Sequence, residues 1–108
     1  MEIKDFQEKV LASFSEVAKA PNRRPHTKQS AIIHLTEELG EIARQVNNEF
    51  HRPEKFNKEN LGEELADLMM FIAVIADLYD IDLSQKMKAS IEKVKQVSIK
   101  LNQNKSDL

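Results

Sequence analysis

The sequence predicts an all-α fold, four helices gathered in one bundle. Apolar residues recur at spacings of three and four in four successive segments, the signature of amphipathic helices. Only two glycines and three prolines occur in 108 residues, too few for a turn-rich β architecture. The prolines also fall in polar breaks between the periodic segments, Pro21 and Pro25 in one and Pro53 in the next.

The first helix is expected from about Ile3 to Ala18, with Ile3, Phe6, Val10, Phe14 and Val17 as its stripe. The polar connection PNRRP ends it. Thr27 is the expected N-cap of a second helix running to about Asn48, striped by Ile32, Leu35, Leu39, Ile42 and Val46. The segment NNEFHRPEKFN breaks the pattern and reads as a loop. A third helix follows from about Asn60 to Tyr79, where Asn60 and Glu63 have capping-box spacing. Leu61, Leu65, Leu68, Ile72 and Ile75 line one of its faces, and Met70, Phe71, Val74 and Leu78 the other. A helix apolar nearly all round is buried on both sides. So small a chain can hardly cover it alone, which predicts a homo-oligomer. The segment DIDLSQ ends this helix, and Asp82 and Gln85 again have capping-box spacing. The fourth helix runs through Met87, Ile91 and Val94 to about Leu101. The chain is thus one domain over 1–108, with a helical core over about 3–101 and a polar tail over 102–108.

Composition removes several function classes. Hydrophobic residues at 41% and charged residues at 31% suit a soluble core and not a disordered chain. A net charge of −2 gives no basic footprint for nucleic acid. With no cysteine, disulfides and thiolate metal sites are excluded. No apolar run reaches the roughly 18–20 residues of a membrane helix, and MEIKDFQEKV is not a signal peptide. A cytoplasmic protein with no membrane partner is expected.

The chemistry lies in two i, i+3 acid pairs, Glu38 with Glu41 in EELGE and Glu64 with Asp67 in EELAD. Residues three apart share one side of a helix. Both pairs border dense apolar stripes, where ionised carboxylates are costly unless a cation balances them. If the two central helices pack antiparallel, the pairs can face each other. Mg²⁺ suits four such acids, because it takes oxygen ligands and recruits substrate phosphates. Spacing alone also allows the plainer reading of two solvated helix faces. His34, one turn before Glu38, is a candidate partner of the site. Arg23, Arg24 and Lys28 near the second helix, and Lys55 and Lys58 before the third, are candidate phosphate contacts.

HLTEELGEIARQV, a loop, and then ENLGEELADLMMFIAVIADLYDIDL together resemble the MazG-type, all-α nucleoside triphosphate pyrophosphohydrolases. That family's pattern is EExxE, a variable spacer and ExxD. Here it reads Glu37, Glu38 and Glu41, twenty-two intervening residues, then Glu64 and Asp67. The resemblance covers roughly residues 25–85. It implies a MazG-like four-helix bundle completed by dimerisation, or by a dimer of dimers. It also implies Mg²⁺-dependent hydrolysis of a nucleoside or deoxynucleoside triphosphate to the monophosphate and pyrophosphate, as nucleotide-pool housecleaning, with Mn²⁺ as a substitute metal. By motif match Glu38, Glu41, Glu64 and Asp67 would hold the metal, and Glu37 would be an outer acid or orient the attacking water. Phe71, His34, Lys58 and Lys86 are the expected substrate contacts. The match has gaps. The chain has no tryptophan to clamp a base, and a gapless reading puts Asn22 in such a place. Ser90 and Val94 stand where many members carry lysine and asparagine, with Lys86 and Lys93 nearby.

Two other functions fit a helical bundle. One is a non-catalytic module binding a nucleotide or a protein partner. The other, a di-iron carboxylate bundle, needs Glu-x-x-His pairs, and no glutamate here is followed by histidine at i+3.

Overall fold

The computed structural model describes residues 1–106, and among them it contains four α-helices and no strand. The helices are α1 (Ile3–Ala18), α2 (Lys28–His51), α3 (Lys58–Leu78) and α4 (Leu83–Ser106), with a single 3-10 turn at Pro53–Lys55 between α2 and α3. Three of the four starts carry a side-chain cap, while α1 begins after Glu2 without one. At α2, Ser30 N–H donates to Thr27 Oγ1 at 3.0 Å, and Thr27 N–H donates to Ser30 Oγ at 2.9 Å, a reciprocal cap. Asp82 Oδ1 accepts the Gln85 N–H at 3.1 Å at the head of α4. The cap of α3 is Asn57, whose Oδ1 accepts the Asn60 N–H at 3.1 Å. The expected Asn60–Glu63 box is therefore displaced by one turn, because an asparagine at the same spacing lies further upstream. α4 also runs past Leu101 to Ser106, so the expected polar tail is helical that far, while residues 107 and 108 lie outside the described residues.

α2 and α3 form an antiparallel hairpin. At one end Gln45 Oε1 accepts the Asn57 N–H at 3.0 Å; at the other, Lys28 Nζ lies 4.3 Å above the Tyr79 ring. α3 ends in a left-handed cap. Asp80 has φ 53°, and the Ile81 N–H reaches back to the Ala76 carbonyl at 2.8 Å. α1 lies across the other side of α3, and Gln7 ties it to the next turn through Nε2 to the Ile81 carbonyl at 3.2 Å. The core where these helices meet is small. Val10, Ala31, Ala73 and Val74 are buried, with Phe6, Phe14, Met70, Ile75, Leu78 and Leu83 packed around them. Ala31 and Ala73 are fully buried, so the helices approach closely there.

Two expectations change here. α2 turns only part of its apolar stripe inward: Leu35 and Ile42 are half-buried, whereas Ile32, Leu39 and Val46 are exposed. Its inward face runs Ala31, His34, Leu35, Glu38, Ile42, Gln45 and Asn48, all buried or half-buried at helical spacing. The acid-bearing face thus meets α3. The second face of α3 is partly covered by α1, and of its large apolar residues before Tyr79 Leu65 and Met69 remain exposed. The radius of gyration, 18.3 Å, exceeds the about 13 Å of a compact chain this long.

Replacing Thr27 by alanine removes the hydroxyl that accepts the Ser30 N–H and leaves that donor without its acceptor, while the bond from the Thr27 backbone N–H to Ser30 Oγ remains. A loss of about 1 kcal/mol is expected, read as a fall in melting temperature of roughly 4–8 °C. An unchanged melting curve would deny the cap any energetic role.

Candidate functional site

The hairpin brings the two acid pairs together. Glu38 and Glu64 are half-buried between α2 and α3, while Glu41 and Asp67 are exposed beside them. Glu38 Oε2 and Glu64 Oε2 are buried and have no hydrogen-bond partner. Such oxygens normally find one, and an unsatisfied buried acceptor costs stability. Burial pushes the Glu38 carboxyl above the ordinary glutamate range, and the negative charges of Glu41, Asp67 and Glu64 push it further. Glu64 is raised too, by burial first and then by Glu41; the Arg44 guanidinium pulls it the other way. Glu38 therefore feels the charge of all three other acids of the two pairs.

Among the described residues no three histidine, aspartate or glutamate side chains converge on one point as ligands of a single ion. The donor set is nonetheless all carboxylate oxygen, and two of those oxygens lack any other partner. Mg²⁺ fits this set, because it commonly uses one or two carboxylates, retains waters and completes its octahedron with substrate phosphate. A calcium-type cage of protein ligands does not match it.

Glu37 stands apart from the four. Its carboxylate is exposed and lies 3.4 Å from His34 Nδ1. His34 itself stacks on Phe71, ring centroids 5.1 Å apart and planes at 13°. Those two residues sit one turn from Glu38 and Asp67 respectively, so the structure joins two candidates that sequence spacing named separately. Two more rings complete a quartet that the sequence did not reveal. His26 lies edge-on to His34 at 5.4 Å and to Phe71 at 5.4 Å, and Phe14 sits 5.8 Å from Phe71. Phe14 had the look of an ordinary stripe residue, and His26 lies in the irregular linker where no periodicity marks it. Burial, and then the nearby His34, hold the His26 pKa below the ordinary histidine value. Beyond the quartet an open hollow of about 430 Å³ is lined by Phe14, His26, Val74, Asp77 and Leu78. Asp67, Phe71, Val74 and Leu78 share one side of α3, so the hollow lies in line with the acids, about 10 Å further along at 1.5 Å per residue.

The expected lysines are not brought to this site. Lys58 is nine residues from Asp67, opposite it around α3, and lines a shallow hollow with Glu59, Gly62, Glu63 and Ala66. Lys86 is exposed on α4, which packs mainly along α1. Lys28 is at the Tyr79 end of the hairpin. The cation that acts on the acids is Arg44, one turn past Glu41 and unmarked by any motif.

Comparison with known proteins bears on the fold and the family. Over 57 residues the chain is 37% identical to the uncharacterized protein YpjD of Bacillus subtilis strain 168. The match takes in 50% of this chain and 51% of that curated relative, so the chain spans about half the relative's length. The crystal structure of YpjD from Bacillus subtilis, a candidate pyrophosphatase, superposes with a TM-score of 0.68 at 26% identity, over 87% of this chain and 93% of that one. The MazG nucleotide pyrophosphohydrolase domain matches residues 26–101. That span contains α2, α3, every acid of the two pairs and most of α4, and the chain belongs to the MazG nucleotide pyrophosphohydrolase domain family.

Proposed function

We propose that the chain hydrolyses a nucleoside or deoxynucleoside triphosphate to the monophosphate and pyrophosphate, clearing surplus or non-standard nucleotides from the cytoplasmic pool. The observation that carries this reading is the pair of buried, partnerless oxygens on Glu38 and Glu64, within a cluster of like charge. At neutral pH, where these acids would otherwise repel one another, a bound cation makes such an arrangement favourable. Glu38, Glu41, Glu64 and Asp67 would hold Mg²⁺, or Mn²⁺ in its place. When bound, the metal neutralises triphosphate charge and lowers the pKa of a coordinated water. Glu38, beside that water, would accept its proton. Glu37, on the rim beside His34, would orient the water from outside the metal shell. Phe71 and His34 would flank the sugar, and the hollow past them would take the base.

We propose further that the active species is a homo-oligomer, a dimer or a dimer of dimers. Ile32, Leu39 and Val46 on α2, and Val94 and Leu101 on α4, leave apolar stripes that one copy does not cover.

The test is a panel of canonical and modified triphosphates with Mg²⁺, read as pyrophosphate release. Release from at least one of them, lost on chelation and restored by Mg²⁺, is the expected result. A panel that shows no metal-dependent release would defeat the enzyme reading and leave a binding module.

A further inference from the structure

We propose that two copies of this chain exchange their α4 helices, the outer half of each lying in the apolar groove between α1 and α3 of the other. The inference rests on the homo-oligomer put forward above and names the surfaces that build it. The groove, about 560 Å³, is lined by Ile3, Phe6, Ala66, Met69, Leu83 and Met87. Its own α4 occupies one end only. Leu83 and Met87 are half-buried there, and the helix then leaves the body. From Met87 to Ser106 it extends about 28 Å at 1.5 Å per residue. The molecule's 66 Å length and large radius of gyration reflect that projection.

The projecting part carries a pattern made for another helix. Met87, Val94 and Leu101 are spaced by seven, with Leu83, Ser90 and Val97 at the interleaved positions. An apolar repeat of 3.5 residues belongs to a helix that packs along a second one. Yet Ile91, Val94, Val97 and Leu101 are 54%, 68%, 51% and 62% exposed. Lys86, Lys93 and Lys100 stand immediately before Met87, Val94 and Leu101, so a row of lysines borders the stripe.

Charge selects the partner surface. Residues 83–106 hold six lysines against one glutamate, whereas residues 1–82 hold sixteen acids against ten lysines and arginines. Pairing α4 only with another α4 would set lysines against a helix whose single acid, Glu92, lies off the stripe. The α2 stripe has Lys28 in line with it. The α1–α3 groove differs, because past Ala66 it continues into the hollow bordered by Glu59 and Glu63, with Lys58 at its end. Among the described residues, none of Lys86, Lys93, Lys100, Glu59 and Glu63 forms an ion pair within the chain. A two-fold axis beside α4 sets the two α4 helices antiparallel, which carries the outer half of each toward the groove end that the other's Leu83 and Met87 leave open.

The chain has no cysteine, so single-cysteine variants give a clean test. Met69→Cys and Val97→Cys chains are co-expressed with different tags and mildly oxidised. A disulfide joining the two variants, absent when either is expressed alone, is expected. Lys93→Glu with Lys100→Glu should weaken the dimer at least about tenfold by light scattering at rising dilution, and Glu59→Lys with Glu63→Lys should restore it. A dimer that yields no mixed disulfide overturns the exchange while leaving the homo-oligomer standing. Val97→Cys cross-linking to itself overturns it in favour of α4–α4 pairing. A wild-type chain that is monomeric at micromolar concentration overturns both. Nucleotide hydrolysis enters none of these readings.

Discussion

Glu38→Gln is expected to reduce pyrophosphate release at least about a hundredfold and, in the metal-free protein, to raise the melting temperature. Loss of a group that merely supports a metal ligand costs about 10–100-fold, and a ligand that also takes a proton costs more. The stability gain has a separate cause. Folded Glu38 holds its proton at higher pH than in the unfolded chain, where the ordinary glutamate value of 4.5 applies. Between 4.5 and that raised value the folded state binds more protons than the unfolded one. Its stability therefore falls as pH rises through that window. Glutamine removes the charge, and the penalty with it. Solvent around a half-buried group screens the effect, so a gain of about 0.5 kcal/mol is expected, or roughly 2–4 °C. Added Mg²⁺ should raise the melting temperature of the wild type at neutral pH and much less that of the variant. Calorimetry without metal settles the point: a Glu38→Gln protein that melts below the wild type at pH 7 would mean the acid cluster is stabilising by itself, contrary to the account above.

Phe71→Ala should be the most damaging single truncation near the site. The ring meets His34, His26 and Phe14 at 5.1, 5.4 and 5.8 Å, and so joins α1, the α1–α2 linker, α2 and α3. Large-to-small changes of a core phenylalanine cost about 3–5 kcal/mol. Phe71 is only half-buried, so about 2–3 kcal/mol is expected, a fall in melting temperature of more than about 10 °C. Phe71→Leu distinguishes its two roles. Leucine should recover most of the stability but not the stacking, leaving KM for the triphosphate raised with kcat nearly unchanged. If leucine restores KM as well, the ring serves packing alone.

Much of this architecture is legible in the residues. The ends of α1 and the cap at Thr27 follow from periodicity and capping, and the acid pairs stand at the spacing that places each on one helix side. The orientation of α2 is not legible that way. Three of its five stripe residues, Ile32, Leu39 and Val46, face outward, while Leu35 and Ile42 face in beside His34, Glu38, Gln45 and Asn48. Periodicity finds the greasiest face and assumes that it is the buried one. A helix that must present acids to a neighbour, and also offers an apolar side to solvent or to another copy, breaks that assumption. Likewise the start of α3 depends on Asn57, which Gln45 holds from twelve positions away, a pairing that no local pattern encodes. Arg44 and His26 matter only through what the fold brings near them.

The Gln45–Asn57 hydrogen bond has a consequence for how the site comes into being. All four acids lie on the two arms of one αα-hairpin, and the link between those arms is only residues 52–57. The entropy of bringing the arms together is that of closing one short loop, and such a cost rises only slowly with length. The acids can therefore meet through contacts local in sequence, the kind that form early and fast. The mutual repulsion of the carboxylates acts against that closure, and the clamp at Gln45 lies at the turn end, where it holds the arms in register.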